Sequence, residues 1–423
     1  MNILFVHQNY PGQYRHLLDW LRGQGSHRIV FLTQREGGGN PTDHKVIRYK
    51  PVSRPVEGTF ALSKEFEKNC AAGLRVAHIC RDLEREGFRP DIVLGHAGWG
   101  ETLFIKDVWP DVPVIAYFEY YYSTVGGAVG FDPEFPISDQ MIFIMTARNA
   151  TNHLALGTCD AGQTATDWQY RRYPAEFQRK ITVAHEGIDT RTLTPDPNAS
   201  VQLGRLDRPL TRADEVVTYV ARNLEPVRGF HTLMRALPDL LERRPSARVI
   251  IVGGEAVSYG RASDHPGGYR AQYQAEVDGR VDWSRVHFLG QVPYPAFKQL
   301  LQVSRCHVYL SVPFVLSWSL IEAMSIGATI VASDVPSVRE VITPGKTGRL
   351  VDFLSPQQLA DTVADVLAAP REHARLGKAA RQLAVSQYDL YDRCLPRQLA
   401  LINHHLPRKL RLSTDCARPT AAA

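Results

Sequence analysis

Short apolar or β-branched runs alternate with helix-patterned stretches along most of this chain, and that alternation is the signature of parallel sheets built from βαβ units. The first run, Ile3-Leu4-Phe5-Val6, leads through a turn at His7–Gln13 into a helical stripe of Leu17, Leu18 and Leu21. Further strands are expected at Ile29–Leu32, Ile92–Leu94, Val114–Phe118, His153–Leu156 and Ile181–Ala184, enough for one doubly wound domain. Between Thr190 and Asp214 the apolar periodicity stops and Thr-Pro-Asp-Pro-Asn-Ala-Ser reads as a linker. The alternation then restarts with Val216–Val220, a helix striped by Phe230, Leu233, Met234, Leu237, Leu240 and Leu241 with Pro238 as a kink point, and strands at Arg248–Val252, Val286–Leu289, His307–Leu310 and Thr329–Ala332.

The expected division is therefore an N-terminal Rossmann-like domain over residues 1–189, a linker over 190–214, and a second Rossmann-like domain over 215–385. A helical segment over 386–406 and a flexible tail over 407–423 follow. A length of 423 residues suits two or three domains, and 44% apolar with 22% charged residues excludes a disordered or coiled-coil chain. The net charge of +5 is too mild, and too evenly spread, for a nucleic-acid partner. Six scattered cysteines without a C-x-x-C pair, an N-terminus that runs directly into a strand, and no long apolar run point to a cytoplasmic protein. The cluster Arg171, Arg172, Arg179 and Lys180 reads as a solvated face or as peripheral contact with the inner face of an anionic membrane.

In open α/β sheets ligands bind beyond the carboxyl ends of the strands, so the loops there are the candidates. In His7-Gln8-Asn9-Tyr10-Pro11-Gly12-Gln13, Gly12 either lets a ligand approach the backbone or simply permits the turn. The loop after Val216–Val220 places Arg222 and Arg228 near a helix start, where two guanidiniums suit a diphosphate; surface pairing with Glu225 is the alternative. After His307–Leu310, the loop Leu316-Ser317-Trp318-Ser319 opens a helix bearing Glu322, which either takes the two hydroxyls of a ribose or closes a capping box with Ser319. Glu119-Tyr120-Tyr121-Tyr122 sets a carboxylate beside aromatic rings, as sugar sites do, or is a tyrosine-rich strand end packed under a loop. His96, in Gly95-His96-Ala97-Gly98-Trp99, is a site residue or a buried hydrogen-bonded histidine.

The ordered set Arg222…Arg228-Gly229, Val252-Gly253-Gly254, Val286-His287-Phe288-Leu289-Gly290 and Leu320–Ser333 resembles the donor domain of the family-4 glycosyltransferases. The resemblance implies an α/β chain of GT-B architecture: two Rossmann-like domains with an interdomain cleft, and a C-terminal helix returning to the N-terminal domain. It implies a retaining transferase that moves a sugar from a nucleoside-diphosphate-sugar to an acceptor hydroxyl, in glycan, polysaccharide or glycoconjugate biosynthesis. Arg222 and Arg228 match the diphosphate cations, Glu322 the ribose carboxylate, and Ser317, Trp318 and Ser319 the loop that offers amides to the donor. Gly12 and Gln13 face the donor from the first domain; Glu119 and His96 are the catalytic candidates, and Tyr120, Tyr121 and Trp99 the acceptor-binding ones. The acceptor would be a glycan, a lipid-linked species or a small molecule.

Two positions depart from the family pattern. Phe314 stands eight residues before Glu322 where an acidic residue is usual, and Glu119 stands where many relatives place a histidine. No Asp-x-Asp pair is present as a clamp for a metal–diphosphate complex, so neither a metal nor another cofactor is expected. A nucleotide-sugar epimerase and a non-catalytic nucleotide-sugar binder are the rival readings.

Overall fold

The computed structural model describes residues 1–36, 41–50, 58–204 and 206–416. They form two units: residues 1–125, 136–187 and the chain from 390 onward make the first, and residues 126–135 with 188–389 the second.

The first unit is a seven-stranded sheet of β1 (Asn2–Val6), β2 (Arg28–Thr33), β3 (Lys45–Arg48), β4 (Ile92–His96), β5 (Val114–Tyr117), β6 (Ala161–Thr164) and β7 (Ile181–Val183). The strand order is 3-2-1-4-5-6-7 and every pairing is parallel. Alternate residues of β1 go to opposite faces and both sets are buried, as a parallel sheet covered on two sides requires. Leu4 and Val6 meet Val76, Cys80 and Leu83 of the helix Lys64–Arg85. Ile3 and Phe5 meet Leu17, Leu18 and Leu21 of the helix Arg15–Gly23 and, from the far end of the chain, Leu395, Leu399 and Ile402 of the helix Leu395–His404. That last contact seats the C-terminal helix on the N-terminal sheet.

The second unit holds a short hairpin, β8 (Ser200–Val201) with β9 (Leu210–Thr211), and a six-stranded parallel sheet. Its strands are β10 (Val216–Asn223), β11 (Arg248–Gly254), β12 (Val286–Gly290), β13 (Cys306–Tyr309), β14 (Ile330–Ser333) and β15 (Arg349–Val351), in the order 12-11-10-13-14-15. In both sheets the order reverses beside the first strand, and the loops leaving that strand and its outward neighbour are where a ligand can reach between helices.

Several expectations change. Residues 153–156 are not a strand; they lie in the helix Asp139–Thr158, whose buried Met145, Asn149, Asn152 and Leu156 recur at helical spacing. The strand in that part of the sheet is β6, whose Ala-Gly-Gln-Thr sequence has no apolar signal although all four residues are buried. β3 and β15 were not expected either, being short edge strands with little apolar content. The helix Phe230–Arg243 runs through Pro238 without ending. The stretch expected as a linker is part of the second unit's core, where Ala199, Leu203 and Leu210 are buried with Val216 and Ile250. Residues 126–135 leave the first unit and pack on the second, with Phe131 and Phe135 against its core and Arg235 Nη2 donating to Glu134 Oε1 at 3.0 Å. The expected tail is ordered as far as residue 416: Leu412 N donates to Asn403 Oδ1 at 2.7 Å and Cys416 is buried. Residues 417–423 of that tail lie outside the described residues.

The turn after β10 depends on one glycine. Gly229 has φ +67°, and a Cβ there would stand 2.4 Å from Leu310 Cβ. Gly229→Ala should lower the stability of the second unit by about 2 kcal/mol or more, from left-handed backbone strain plus the clash. Urea unfolding checks this; an unchanged midpoint would show that the turn tolerates a side chain.

Candidate active site

At the end of β1 the chain turns back under His7, whose ring is buried. His7 Nδ1 accepts the backbone N–H of Asn9 at 2.9 Å, so its proton sits on Nε2, which donates to Gln13 Oε1 at 2.6 Å. That bond fixes the Gln13 amide with its nitrogen outward, and Gln13 Nε2 donates to Glu119 Oε1 at 3.0 Å. Gly12 fits beneath the ring because it has no side chain: a Cβ at its φ of +55° would lie 2.4 Å from His7 Cε1. The turn itself therefore requires this glycine, as the plainer of its two expected roles had it.

His96, at the end of β4, is held by the same logic. Its Nδ1 accepts Gly98 N–H at 3.1 Å, and its Nε2 faces Glu119 Oε2 at 3.4 Å, an ion-pair distance without hydrogen-bond alignment. Trp99 stacks on His96 with ring centroids 4.0 Å apart. Glu119 follows β5, and its backbone carbonyl accepts from Gln169 Nε2 at 2.7 Å. With 32% of its side chain exposed, Glu119 can reach a ligand while His96 cannot be approached from most directions. Burial, reinforced by the neighbouring His96, pushes the His7 pKa down to about 3, so His7 is a neutral hydrogen-bond donor at neutral pH.

The structure thus gathers Gln13, His96, Trp99 and Glu119 around the ends of β1, β4 and β5, and adds His7, which no sequence pattern singles out. Tyr121 lies apart from them: its hydroxyl bonds His153 Nε2 at 2.9 Å and its ring packs against Tyr173. Tyr120 holds its place through its carbonyl, which accepts from Asn152 Nδ2 at 3.1 Å, while its ring meets Tyr122 edge-on. In the basic cluster Arg172 Nη1 donates to Val125 O at 2.9 Å and Lys180 Nζ to Leu156 O at 2.7 Å, while Arg171 and Arg179 are exposed.

In the second unit Arg228 is 6% exposed, and among the described residues no carboxylate pairs with it. Its Nη1 donates to Ser311 Oγ at 2.8 Å and its Nη2 to Val315 O at 3.2 Å, tying the turn after β10 to the loop after β13. Arg222 is exposed, and the Cζ atoms of Arg222 and Arg228 lie 5.8 and 5.3 Å from the ring centre of Tyr259. The alternative reading, surface pairing of these arginines with Glu225, does not hold: Glu225 is buried and accepts backbone N–H groups from Ser258, Tyr259 and Gly260.

The loop after β13 leads into the helix Trp318–Ile326, whose cap is Ser317 rather than Ser319: Ser317 Oγ accepts Ser319 N–H at 3.3 Å. Ser319 Oγ also bonds Ser317 Oγ, and Ser317 N donates to Tyr309 OH at 2.9 Å. Glu322 consequently sits a turn inside the helix, beyond capping reach, and its Oε1 accepts from Tyr294 OH at 2.7 Å. The capping-box reading fails on this register. Trp318 packs partly buried against the core below the helix. A buried cation without a carboxylate partner, beside a helix start, is an anion-binding arrangement, because guanidinium edges and the positive end of the helix dipole act together.

Residues 25–193 match the family described as Glycosyl transferase family 4 group, and residues 207–383 match Glycosyl transferases group 1. The chain belongs to the family-4 glycosyltransferases. It is 27% identical to a D-inositol 3-phosphate glycosyltransferase of Corynebacterium efficiens, over 80% of this chain and 78% of the relative. It is 29% identical to a GDP-mannose-dependent alpha-(1-6)-phosphatidylinositol monomannoside mannosyltransferase of Mycolicibacterium smegmatis, over 51% of this chain and 55% of the relative. Among solved structures it is similar to a sucrose-phosphate synthase of Thermosynechococcus elongatus, with a TM-score of 0.72 at 17% identity, covering 96% of this chain and 98% of that one. It is also similar to Anabaena HepE in complex with UDP-glucose, with a TM-score of 0.67 at 17% identity, covering 95% and 99%. The glycosyltransferase has the GT-B fold class, and no helix among its described residues is long and apolar enough to cross a membrane.

The buried neutral His7 gives this glycosyltransferase an acid sensitivity. Below pH 6.5 the unfolded chain takes up a proton that the folded His7 refuses, so stability falls as pH drops from 6.5 toward 3. By pH 5 the loss assigned to this group is about 2 kcal/mol. Urea unfolding of His7→Gln should show a correspondingly smaller drop in stability between pH 7 and pH 5; an identical drop would mean that His7 is not buried neutral.

Proposed function

We propose that this glycosyltransferase moves a sugar from a nucleoside-diphosphate-sugar to an acceptor hydroxyl with retention at the anomeric carbon. The observation that carries this reading is the pair Arg222, near the end of β10, and Arg228, on the turn after it and buried without a carboxylate, beside the start of the helix Trp318–Ile326. As the bond between the anomeric carbon and the phosphate oxygen breaks, negative charge grows on the leaving diphosphate, and cations fixed in advance stabilise that state more than the bound donor. The acceptor oxygen forms its bond to the same face of the anomeric carbon, its proton passes to the departing phosphate oxygen, and a nucleoside diphosphate is released.

In this reading the second unit binds the donor: Arg222 and Arg228 take the diphosphate beside the helix start at Ser317–Ser319, where the Ser317 and Ser319 amides already donate to Tyr309 OH and Ser317 Oγ, and Glu322 takes the ribose hydroxyls. The first unit presents the acceptor, with Glu119 accepting from its hydroxyl and Trp99 and Tyr120 offering ring faces. Charge neutralisation is assigned to the two guanidiniums and the helix dipole rather than to a metal ion, and the setting is cytoplasmic synthesis of a glycan or glycoconjugate. The UDP-glucose of HepE makes uridine the first base to try, and the inositol-based acceptors named for the bacterial relatives make polyols the first acceptors.

Thermal-shift screening with UDP, GDP, ADP and dTDP should show stabilisation by at least one of them. Arg222→Ala should then lose about ten- to a hundredfold in affinity for that diphosphate and in turnover, the weight of a charged hydrogen bond to phosphate at roughly 1.5–3 kcal/mol. Unchanged binding and turnover in this surface variant would remove the phosphate assignment.

A further inference from the structure

Glu225 lies in sequence between the two arginines and is fully buried, yet its carboxylate serves a different loop. One oxygen, Oε1, accepts three successive backbone N–H groups, from Ser258, Tyr259 and Gly260, at 3.0, 3.1 and 3.2 Å. Successive amides converging on one point form an anion-binding nest, and here the protein's own carboxylate fills it. Asn223 adds a second tie, its Nδ2 donating to Ser258 Oγ at 2.5 Å. The loop pinned in this way carries Tyr259, whose ring lies 5.8 Å from Arg222 Cζ and 5.3 Å from Arg228 Cζ. Phe314 meets the Tyr259 ring edge-on at 5.1 Å and lies 5.4 Å from Arg228 Cζ.

An aromatic ring engages the flat face of a guanidinium, whereas phosphate oxygens take the N–H groups along its edge. Ring and anion therefore do not compete; the ring keeps water from the faces and restricts the rotation of two long side chains before a ligand arrives. Both effects favour a ligand that uses both cations at once.

We propose that Tyr259 is a wall of the donor site that aligns the Arg222 and Arg228 guanidiniums for a diphosphate, and that Glu225 is the positioning residue that holds it there. This rests on the donor-site reading given under Proposed function.

The test is the dissociation constant of inorganic pyrophosphate, measured by calorimetry on the full chain and on variants. Tyr259 is on a surface loop and 39% exposed, so its replacement leaves the fold intact. Tyr259→Ala should weaken binding by about 3- to 30-fold, the range of a cation–π contact, while Tyr259→Phe, which keeps the ring and loses only the hydroxyl that hydrogen-bonds the Arg228 side chain, should weaken it clearly less than the alanine variant. Glu225→Gln should weaken binding by a factor similar to Tyr259→Ala, and the double variant should be no weaker than either alone. Unaltered affinity in Tyr259→Ala, or additive losses in the double variant, would overturn the inference. If Glu225→Gln does not fold, the contrast between the alanine and phenylalanine variants decides alone. Arg222→Ala separates the two readings: weakened pyrophosphate binding there with none in Tyr259→Ala sinks only this inference, and no pyrophosphate binding by the parent chain, or no loss in Arg222→Ala, sinks the donor site as well.

Discussion

A guanidinium buried without a counter-ion is costly, and the geometry around Arg228 is organised to bear that cost. Ser311 Oγ, Tyr309 OH and Val315 O surround one side of it, while Tyr219 OH donates to its backbone carbonyl at 2.6 Å. These partners come from β10, β13 and the loops that leave them, the two strands between which the sheet order reverses. One side chain therefore fixes the relative position of both loops, and among the described residues its charge is answered by dipoles and aromatic rings and by no carboxylate. Neutral partners compensate a buried cation incompletely, which leaves the site favouring an anion from outside. The fold supplies the location and Arg228 supplies the sign of the charge.

The first unit solves a different problem with the same sheet plan. Backbone amides of Asn9 and Gly98 occupy the Nδ1 atoms of His7 and His96, so both rings carry their protons on Nε2 and direct them toward Gln13 and Glu119. Gln13 thus donates to the Glu119 carboxylate, His96 Nε2 faces it out of hydrogen-bond alignment, and the carboxylate remains a third exposed. An acceptor-only group at a strand's carboxyl end is suited to holding a hydroxyl. The carboxyl ends of the two sheets thus differ in polarity, with a buried cation in one unit and a partly exposed carboxylate in the other.

Most of the sheet architecture is legible in the sequence because doubly buried parallel strands are written as apolar runs, as in Ile3–Val6 and Ile29–Leu32. The exceptions have particular causes. Ala161–Thr164 is buried by its neighbours rather than by its own side chains, so it leaves no signal, and the nearby His153–Leu156 run draws the strand assignment to what is one face of a helix. Arg222, Arg228, Glu119 and His96 are picked out as candidates in the sequence because charge and position after a strand are local properties. His7, Glu225 and Tyr259 act through partners 6, 33 and more residues away or across a ring face, and spacing cannot show such contacts. Glu322 shows the converse: its local pattern fits a cap at Ser319, whereas the helix is capped by Ser317, further toward the N-terminus, and does not use it.

The central claim is that a diphosphate binds at the turn after β10 through Arg222 and Arg228. A crystal structure of the chain soaked with the nucleoside diphosphate that stabilises it most tests this directly. The account predicts phosphate oxygens within hydrogen-bond distance of both guanidiniums and close to the backbone amides at the start of the helix Trp318–Ile326. A diphosphate bound elsewhere, with these two side chains making no contact to it, would contradict the account.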